Sequence, residues 1–248
     1  MNRPTSRGRW IALFLALWLN LPGLARAEDE SPIDLSGLDA YRGSTGAWAV
    51  VGEVRLDPGD PRRLAADPGT GQIYNGPTGR TRNLVTKRAF GDVEAHLEYL
   101  IPKGSNSGVK FAGVYEIQIF DSFHKTTIDG GDNGGIYPRA ELLPFYHHID
   151  AGFAPRVNAS RAPGEWQSLD VTFRAPRFGA DGKKTANARF VKVVLNGQVV
   201  HENVEVPAPT GHAWHNQESP TGPFFLQADH GPVAFRNIRL RPLEATRP

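Results

Sequence analysis

The sequence of 248 residues contains no cysteine. Disulfide bonds, thiolate metal ligands, a nucleophilic thiol and a cysteine-linked lipid anchor are therefore excluded. An excess of charge of one sign is also missing, because the formal net charge is only +2 at pH 7. So weak a net charge gives no long-range attraction to nucleic acid or to an anionic membrane, and we expect neither as a partner.

Several catalytic motifs are missing too. No Gly-x-Ser-x-Gly elbow is present, which removes the usual signature of an α/β-hydrolase nucleophile, although a Ser-His-Asp triad of another kind stays open. Neither of the two glycine motifs that bind phosphate is found. After the first 27 residues no segment has the periodicity of a confident helix.

The start of the chain has the pattern of an export signal. Three arginines precede an apolar run, Trp10–Leu21, and the small-x-small sequence Ala25–Ala27 follows it. The apolar run is too short to span a membrane. We predict a secretory signal peptide over residues 1–27, a periplasmic or secreted protein, and one domain over residues 28–248.

Turn-forming residues are abundant, with 27 glycines and 20 prolines. Many short apolar runs between such turns are typical of an all-β sandwich or barrel. A polar, loosely held arm is expected over residues 28–41, a loop over 57–72, and a long irregular insertion over 123–165. Strands are predicted over residues 46–56, 72–75, 83–86, 92–101, 166–173, 189–195, 198–204, 224–227 and 233–240, together with two runs within 106–122. Asn196 and Gly197 predict a tight type I′ hairpin turn between two of these strands. The apolar residues of 233–240 fall on both parities, which implies a bulge or burial on both faces.

The stretch 106–122 carries polar side chains within apolar runs. Successive side chains on a strand alternate between its faces, so Glu116 and Gln118 point to the same side. Asp121 has the opposite parity and joins that face only if the strand bulges between Gln118 and Asp121. We predict that this strand lines a sugar-binding cleft. The alternative is a half-buried strand with a solvated polar face.

Glu116 and Asp121 admit two kinds of chemistry. Retaining glycosidases hold two carboxyl groups about 5–5.5 Å apart across the scissile bond. With a bulge, the Cα atoms of Glu116 and Asp121 are expected about 13 Å apart, at about 3.3 Å per residue. That separation counts against a two-carboxylate mechanism and leaves room for a single carboxylate base.

A metal site finds little support. Asp129, Asp132 and Asn133 offer oxygen ligands in a glycine-rich loop, but their spacing is not that of an EF-hand. The histidine pairs 147/148 and 212/215 are interpreted as loop residues. We therefore expect no metal site and no cofactor.

Segments spread over most of the chain together resemble one family, the secreted bacterial 3-keto-disaccharide hydrolases. They are residues 83–87 (NLVTK), 91–99 (GDVEAHLEY), 106–108 (NSG), 115–122 (YEIQIFDS), 135–137 (GIY), 158–160 (NAS), 164–167 (GEWQ), 173–178 (FRAPRF), 196–197 (NG), 227–231 (QADHG) and 235–243 (FRNIRLRPL). The resemblance implies a jelly-roll β-sandwich like those of concanavalin A and the laminarinases.

The resemblance also implies an activity on 3-keto-glycosides or 3-keto-disaccharides. A ketone at C3 acidifies the C2 proton, a carboxylate removes it, the C1 substituent leaves, and water adds back. Glu116 is then the base, and Asp121 orients it or serves the leaving group. The side chains implied in binding the sugar are Asn106, Gln118, Tyr137, Gln227 and His230.

Two other functions stay open. One is conventional retaining glycoside hydrolysis, and the other is a non-catalytic, lectin-like carbohydrate-binding module on the same sandwich. A carbohydrate is the expected partner in all three cases. The sugar, its linkage and the oligomeric state are not fixed by the sequence.

Overall fold

A computed structural model describes residues 31–244 of the chain. The predicted signal peptide lies outside the described residues. Within them the protein is all-β, and its only helices are two 3₁₀ turns, Leu38–Ala40 and His212–His215. No helix in this range is long and apolar enough to cross a membrane. The expected all-β sandwich is confirmed.

The larger sheet has eight strands. Seven of them lie side by side in the order β16-β15-β12-β7-β18-β5-β2, and β1 pairs with β18. The eight strands are β1 (Ile33–Asp34), β2 (Ala49–Val51), β5 (Gln72–Tyr74), β7 (Val93–Leu100), β12 (Gln167–Arg174), β15 (Ala188–Leu195), β16 (Gln198–Val206) and β18 (Ala234–Pro242).

The smaller sheet has four antiparallel strands in the order β6-β17-β8-β9. They are β6 (Leu84–Phe90), β8 (Asn106–Phe111), β9 (Tyr115–Phe120) and β17 (Gly222–Leu226). Three separate hairpins complete the fold: β3 (Val54–Asp57) with β4 (Asp60–Ala66), β10 (Ala140–Glu141) with β11 (His147–His148), and β13 (Arg177–Phe178) with β14 (Lys184–Ala186).

The core lies between the two sheets and is rich in aromatic rings. Phe111 of β8 meets Phe173 of β12 at 5.3 Å between ring centroids and Phe190 of β15 at 5.6 Å. Tyr115 of β9 meets Phe173 at 5.6 Å. Since these residues face inward, their neighbours in β8 and β9 face outward, and that outward face carries the site described below.

Three of the predicted segments need correction. The single strand expected over residues 46–56 is broken at Gly52 into β2 and β3. The loop expected over residues 57–72 contains β4, whose buried residue is Leu64 alone, so the strand has no alternation to reveal it. The expected arm packs on the core, since Leu35 and Tyr41 are buried and the Tyr41 hydroxyl donates to the Leu35 carbonyl at 2.8 Å.

Other turn and bulge predictions are confirmed. Asn196 and Gly197 both have positive φ, 51° and 80°, and join β15 to β16 as a tight hairpin. The register of β18 shifts between Arg236 and Arg239, as its mixed parity predicts. The insertion over residues 123–165 is long and mostly irregular, with β10 and β11 as its strands.

Part of this insertion extends the smaller sheet beyond β9. The Gln118 N–H donates to the Gly135 carbonyl at 2.9 Å, and the Tyr137 N–H donates to the Glu116 carbonyl at 3.1 Å. Ile136 forms a bridge with Ile117. The edge of β9 is therefore covered, and Tyr137 is placed beside Glu116.

Candidate active site

A cleft of about 620 Å³ lies on the outward face of the smaller sheet. Its floor comes from alternate residues of three neighbouring strands. Lys110 of β8 pairs with Glu116 of β9, and Gly108 pairs with Gln118. Phe225 of β17 pairs with Lys110 on the other side. Side chains distant in sequence therefore converge because the strands are in register.

Glu116 lies at the centre of this floor and is only 3% exposed. Its Oε2 lies 3.2 Å from Nζ of Lys110, whose side chain is itself mostly buried. Burial raises the pKa of the Glu116 carboxyl above its ordinary value, and the Lys110 ammonium offsets only part of that effect. A carboxylate with a raised pKa is a stronger base than an exposed one, as a general base requires.

Gly108 makes room for this carboxylate. A Cβ atom at position 108 would stand 2.1 Å from Oε1 of Glu116 and 3.0 Å from its Cδ. Real Cβ atoms do not approach other atoms so closely. The φ of Gly108 lies outside the left-handed region, so the backbone conformation does not require a glycine there. The position of the Glu116 side chain on the neighbouring strand does require it.

Amide side chains line the part of the cleft next to Glu116. The Gln118 amide donates to Oδ1 of Asn106 at 3.3 Å. Oε1 of Gln227 is buried and has no hydrogen-bond partner among residues 31–244. A buried amide oxygen without a partner is costly, and a sugar hydroxyl is a donor that would satisfy it.

Asp229 and His230 form a carboxylate–imidazole pair at the rim. Nδ1 of His230 lies 2.6 Å from Oδ1 of Asp229, so the Nδ1–H donates to the carboxylate. Nε2 of Gln227 lies 3.3 Å from the same Nδ1, but with Nδ1 protonated both nitrogens are donors and form no hydrogen bond with each other. With Nδ1 committed to Asp229, Nε2 is the nitrogen left for a ligand.

Tyr137 lines the cleft beside Glu116, beyond the edge of β9. Its hydroxyl lies 3.0 Å from the Tyr146 hydroxyl and 3.1 Å from Nε2 of His148. Burial, followed by the Tyr146 contact and the charge of Glu116, raises the pKa of the Tyr137 phenol. The phenol therefore stays protonated and acts as a neutral donor.

Comparison with known proteins identifies the family. A sequence profile of the 3-keto-alpha-glucoside-1,2-lyase-like domain matches residues 34–241. The chain belongs to this family. The resemblance found in the sequence is thereby confirmed. A search of curated proteins gave no match.

Two of the solved structures that are similar to this lyase-like domain come from Parabacteroides distasonis. One, provisionally named a glycosyl hydrolase, is 25% identical with a TM-score of 0.58, over 86% of this chain and 84% of that one. Another of the same provisional name is 16% identical with a TM-score of 0.50, over 80% and 89%, and shows the fold alone. The family and the first of these two neighbours support a carbohydrate-active protein.

Six of the seven predicted site residues of the lyase-like domain meet in this cleft. They are Asn106, Glu116, Gln118, Tyr137, Gln227 and His230. Their proximity follows from strand register and from the insertion that pairs with β9. Their roles in binding or catalysis stay predictions.

Asp121 does not join them, because the bulge that it would need in order to reach this face is not formed. The pairing of β8 with β9 runs unbroken to Phe120 opposite Asn106. The Asp121 carboxylate accepts the Gly104 N–H at 2.8 Å and is not among the residues that line the cleft. Asp121 therefore lies just past the end of β9 and outside the cleft, and it forms no carboxylate pair with Glu116.

The most important side chain that the sequence analysis missed is Lys110. It shares its parity with Asn106 and Gly108 on β8, and this polar pattern on an otherwise apolar strand was the available signal. Asn83 and Asp229 were missed as well. Both lie outside the strands, where alternation does not predict the direction of a side chain.

The acidic loop considered as a metal site is held by other contacts. Oδ1 of Asp132 accepts from Nζ of Lys125 at 2.6 Å and from the Ser122 hydroxyl at 2.7 Å. Its Oδ2 accepts the Asp129 N–H at 3.0 Å. The charge of Asp132 is therefore compensated by a lysine.

A second cavity, of about 770 Å³, is lined by basic residues near β13 and β14. Arg174 and Arg177 both contact Asp92, at 2.8 and 2.6 Å. Arg189 contacts Glu205 at 2.6 Å. Because these charges are paired, the cleft around Glu116 is the better candidate for the active site.

Proposed function

We propose that this lyase-like domain cleaves 3-keto-glycosides by β-elimination, with Glu116 as the base. The observation that carries the proposal is a buried carboxylate of raised pKa, 3.2 Å from a lysine ammonium, on the floor of a polar cleft. Membership of the 3-keto-alpha-glucoside-1,2-lyase-like family supports the same reaction.

The first step is proton removal. Glu116 takes the C2 proton of the sugar and becomes a carboxylic acid, while the C2–H electron pair forms an enolate with its charge on the C3 oxygen. Lys110 lies beside Glu116, so its ammonium is placed to stabilise that charge. A base and a lysine so close together suit a reaction in which a proton leaves C2 while negative charge develops on the oxygen of the neighbouring C3.

The second step is loss of the C1 substituent. The enolate re-forms the C3 carbonyl, a C1=C2 double bond forms, and the C1–O bond breaks with its electron pair on the leaving oxygen. That oxygen needs a proton, and the carboxylic acid of Glu116, which holds the proton taken from C2, is the donor we assign; Glu116 thereby returns to a carboxylate. The products are a 2-hydroxy-3-keto-glycal and a free alcohol; addition of water across C1=C2 completes hydrolysis.

Replacement of Glu116 by glutamine tests the proposal. Protein from residue 28 onward is incubated with a 3-keto-glucoside and with the unoxidised glucoside, and release of the alcohol is followed. We expect cleavage of the keto compound alone and loss of about 10²-fold or more in kcat with Glu116→Gln.

Other results would point to other functions. Cleavage of the unoxidised glucoside as well would favour a conventional glycosidase. Sugar binding without cleavage of either compound would favour the lectin-like module. Full activity of Glu116→Gln on the keto compound would leave an enzyme but remove Glu116 as its base.

A further inference from the structure

The β10–β11 hairpin presents an apolar tip to solvent at the mouth of the cleft. Leu142 is 57% exposed, Leu143 80% and Phe145 70%. Single exposed apolar residues are ordinary, but a cluster of them beside a cleft marks a binding surface. Leu142 and Tyr146 also line the cleft itself, so the tip and the cleft form one continuous surface.

Strand register places the amide side chains on one side of Glu116. Glu116 pairs with Lys110, and Gln118 pairs with Gly108 one row further along the sheet. Gln227 belongs to that second row, because its N–H donates to the Gly108 carbonyl at 2.9 Å. This row offers the donors and acceptors that sugar hydroxyls need.

The hairpin borders Glu116 on a different side, beyond the edge of β9. Tyr137 makes the connection, since its N–H donates to the Glu116 carbonyl and its hydroxyl contacts that of Tyr146. Along this direction the cleft is lined by the Tyr137 and Tyr146 rings and by Leu142. The surroundings of Glu116 are thus polar towards Gln118 and apolar towards the hairpin.

We infer that the side of this hairpin that lines the cleft, Leu142 with Tyr146, binds the leaving group of the substrate and that this leaving group is aromatic, an inference that rests on the proposed function. Glu116 acts at C2, so the C1 substituent must lie close to Glu116. The sugar ring, with its hydroxyls, fits the amide row, and the substituent then lies against Leu142 and Tyr146. A ring on the leaving group would cover apolar surface that is otherwise in water.

The test compares benzyl and methyl 3-keto-glucosides of the same anomeric configuration. Benzyl alcohol and methanol are of similar acidity, so the ratio of the two kcat/KM values reports contacts to the leaving group and not its intrinsic reactivity. We expect the wild-type protein to prefer the benzyl compound by about tenfold, in the range for burial of a small apolar group.

Two variants of the same hairpin locate the contact. Leu142→Ser removes an apolar side chain that lines the cleft, and we expect the benzyl/methyl ratio to fall by about threefold or more. Phe145→Ser is the matched control, because Phe145 is exposed on the same tip but does not line the cleft. It is expected to leave the ratio unchanged.

Each failure has its own meaning. Activity on both compounds with no benzyl preference, or a ratio unaffected by Leu142→Ser, overturns this inference and leaves the elimination standing. Inactivity on both compounds overturns the proposed function and this inference with it. Conversion of a dimer to a monomer by Leu142→Ser and Phe145→Ser alike, measured by light scattering, would make the tip an interface between copies of the chain and also overturn it.

Discussion

Substitution of Gly108 by alanine tests whether the position of the Glu116 carboxylate matters for catalysis. The new Cβ atom would lie 2.1 Å from Oε1 of Glu116, and ordinary van der Waals contact begins at 3.4 Å. The oxygen must therefore retreat by about 1.3 Å. Displacement of a catalytic group by about 1 Å costs about 10²-fold in rate, or about 2.7 kcal/mol of transition-state stabilisation.

The fold should tolerate this change, because the Cβ atom meets the end of a side chain and no backbone atom. The assay is kcat/KM on a 3-keto-glucoside, together with the melting temperature of each protein. Gly59→Ala is the matched control, since a Cβ atom there meets a single atom at 3.4 Å. Wild-type kcat/KM in Gly108→Ala, combined with inactivity of Glu116→Gln, would refute the reasoning.

Three further predictions concern charge, pH and packing. Lys110→Met removes the cation that lowers the pKa of Glu116, a pKa that burial already holds above the ordinary glutamate value. The acid limb of the pH profile of kcat/KM should therefore move to higher pH, and kcat should fall. His201 is buried against the Gly134 carbonyl, and burial lowers its pKa from 6.5 to about 4. The unfolded chain protonates His201 more readily than the folded protein does, so the free energy of unfolding should fall by about 3 kcal/mol as pH drops from 6.5 towards 4. Denaturant titrations at several pH values should show a weaker pH dependence of that free energy for His201→Gln. Phe111→Ala should lower the free energy of unfolding by about 3–5 kcal/mol, and a loss under 1 kcal/mol would contradict the central place of Phe111 in the core.

Side-chain alternation accounts for the part of the site that the sequence predicts. Glu116 and Gln118 share a parity on β9, and the structure places both in the cleft. The same rule, applied without the assumed bulge, puts Asp121 on the opposite face from Glu116. Asp121 had a predicted role only because the family resemblance implied one, and its parity alone argued against a place beside Glu116.

Strand order accounts for the part that the sequence does not predict. Alternation gives the face of each side chain but not the neighbour of its strand. Lys110 and Glu116 are six residues apart and meet through a hairpin, yet Phe225 and Gln227 reach the same floor from a strand more than 100 residues later. The strand β4 was missed for another reason, since Leu64 is its one buried residue and no alternation marks it.

The Lys110–Glu116 pair is costly for a β-sandwich and therefore informative. Removing two charges from water costs several kcal/mol per ion, and a buried ion pair often stabilises a fold less than apolar residues of the same size would. Here the pair lies on the solvent side of a sheet whose other face already packs against the core, so packing does not require it. A glycine on the neighbouring strand leaves space for the carboxylate, and burial raises its pKa. Such an arrangement is hard to account for by stability, and it is the arrangement that proton abstraction next to a developing enolate requires.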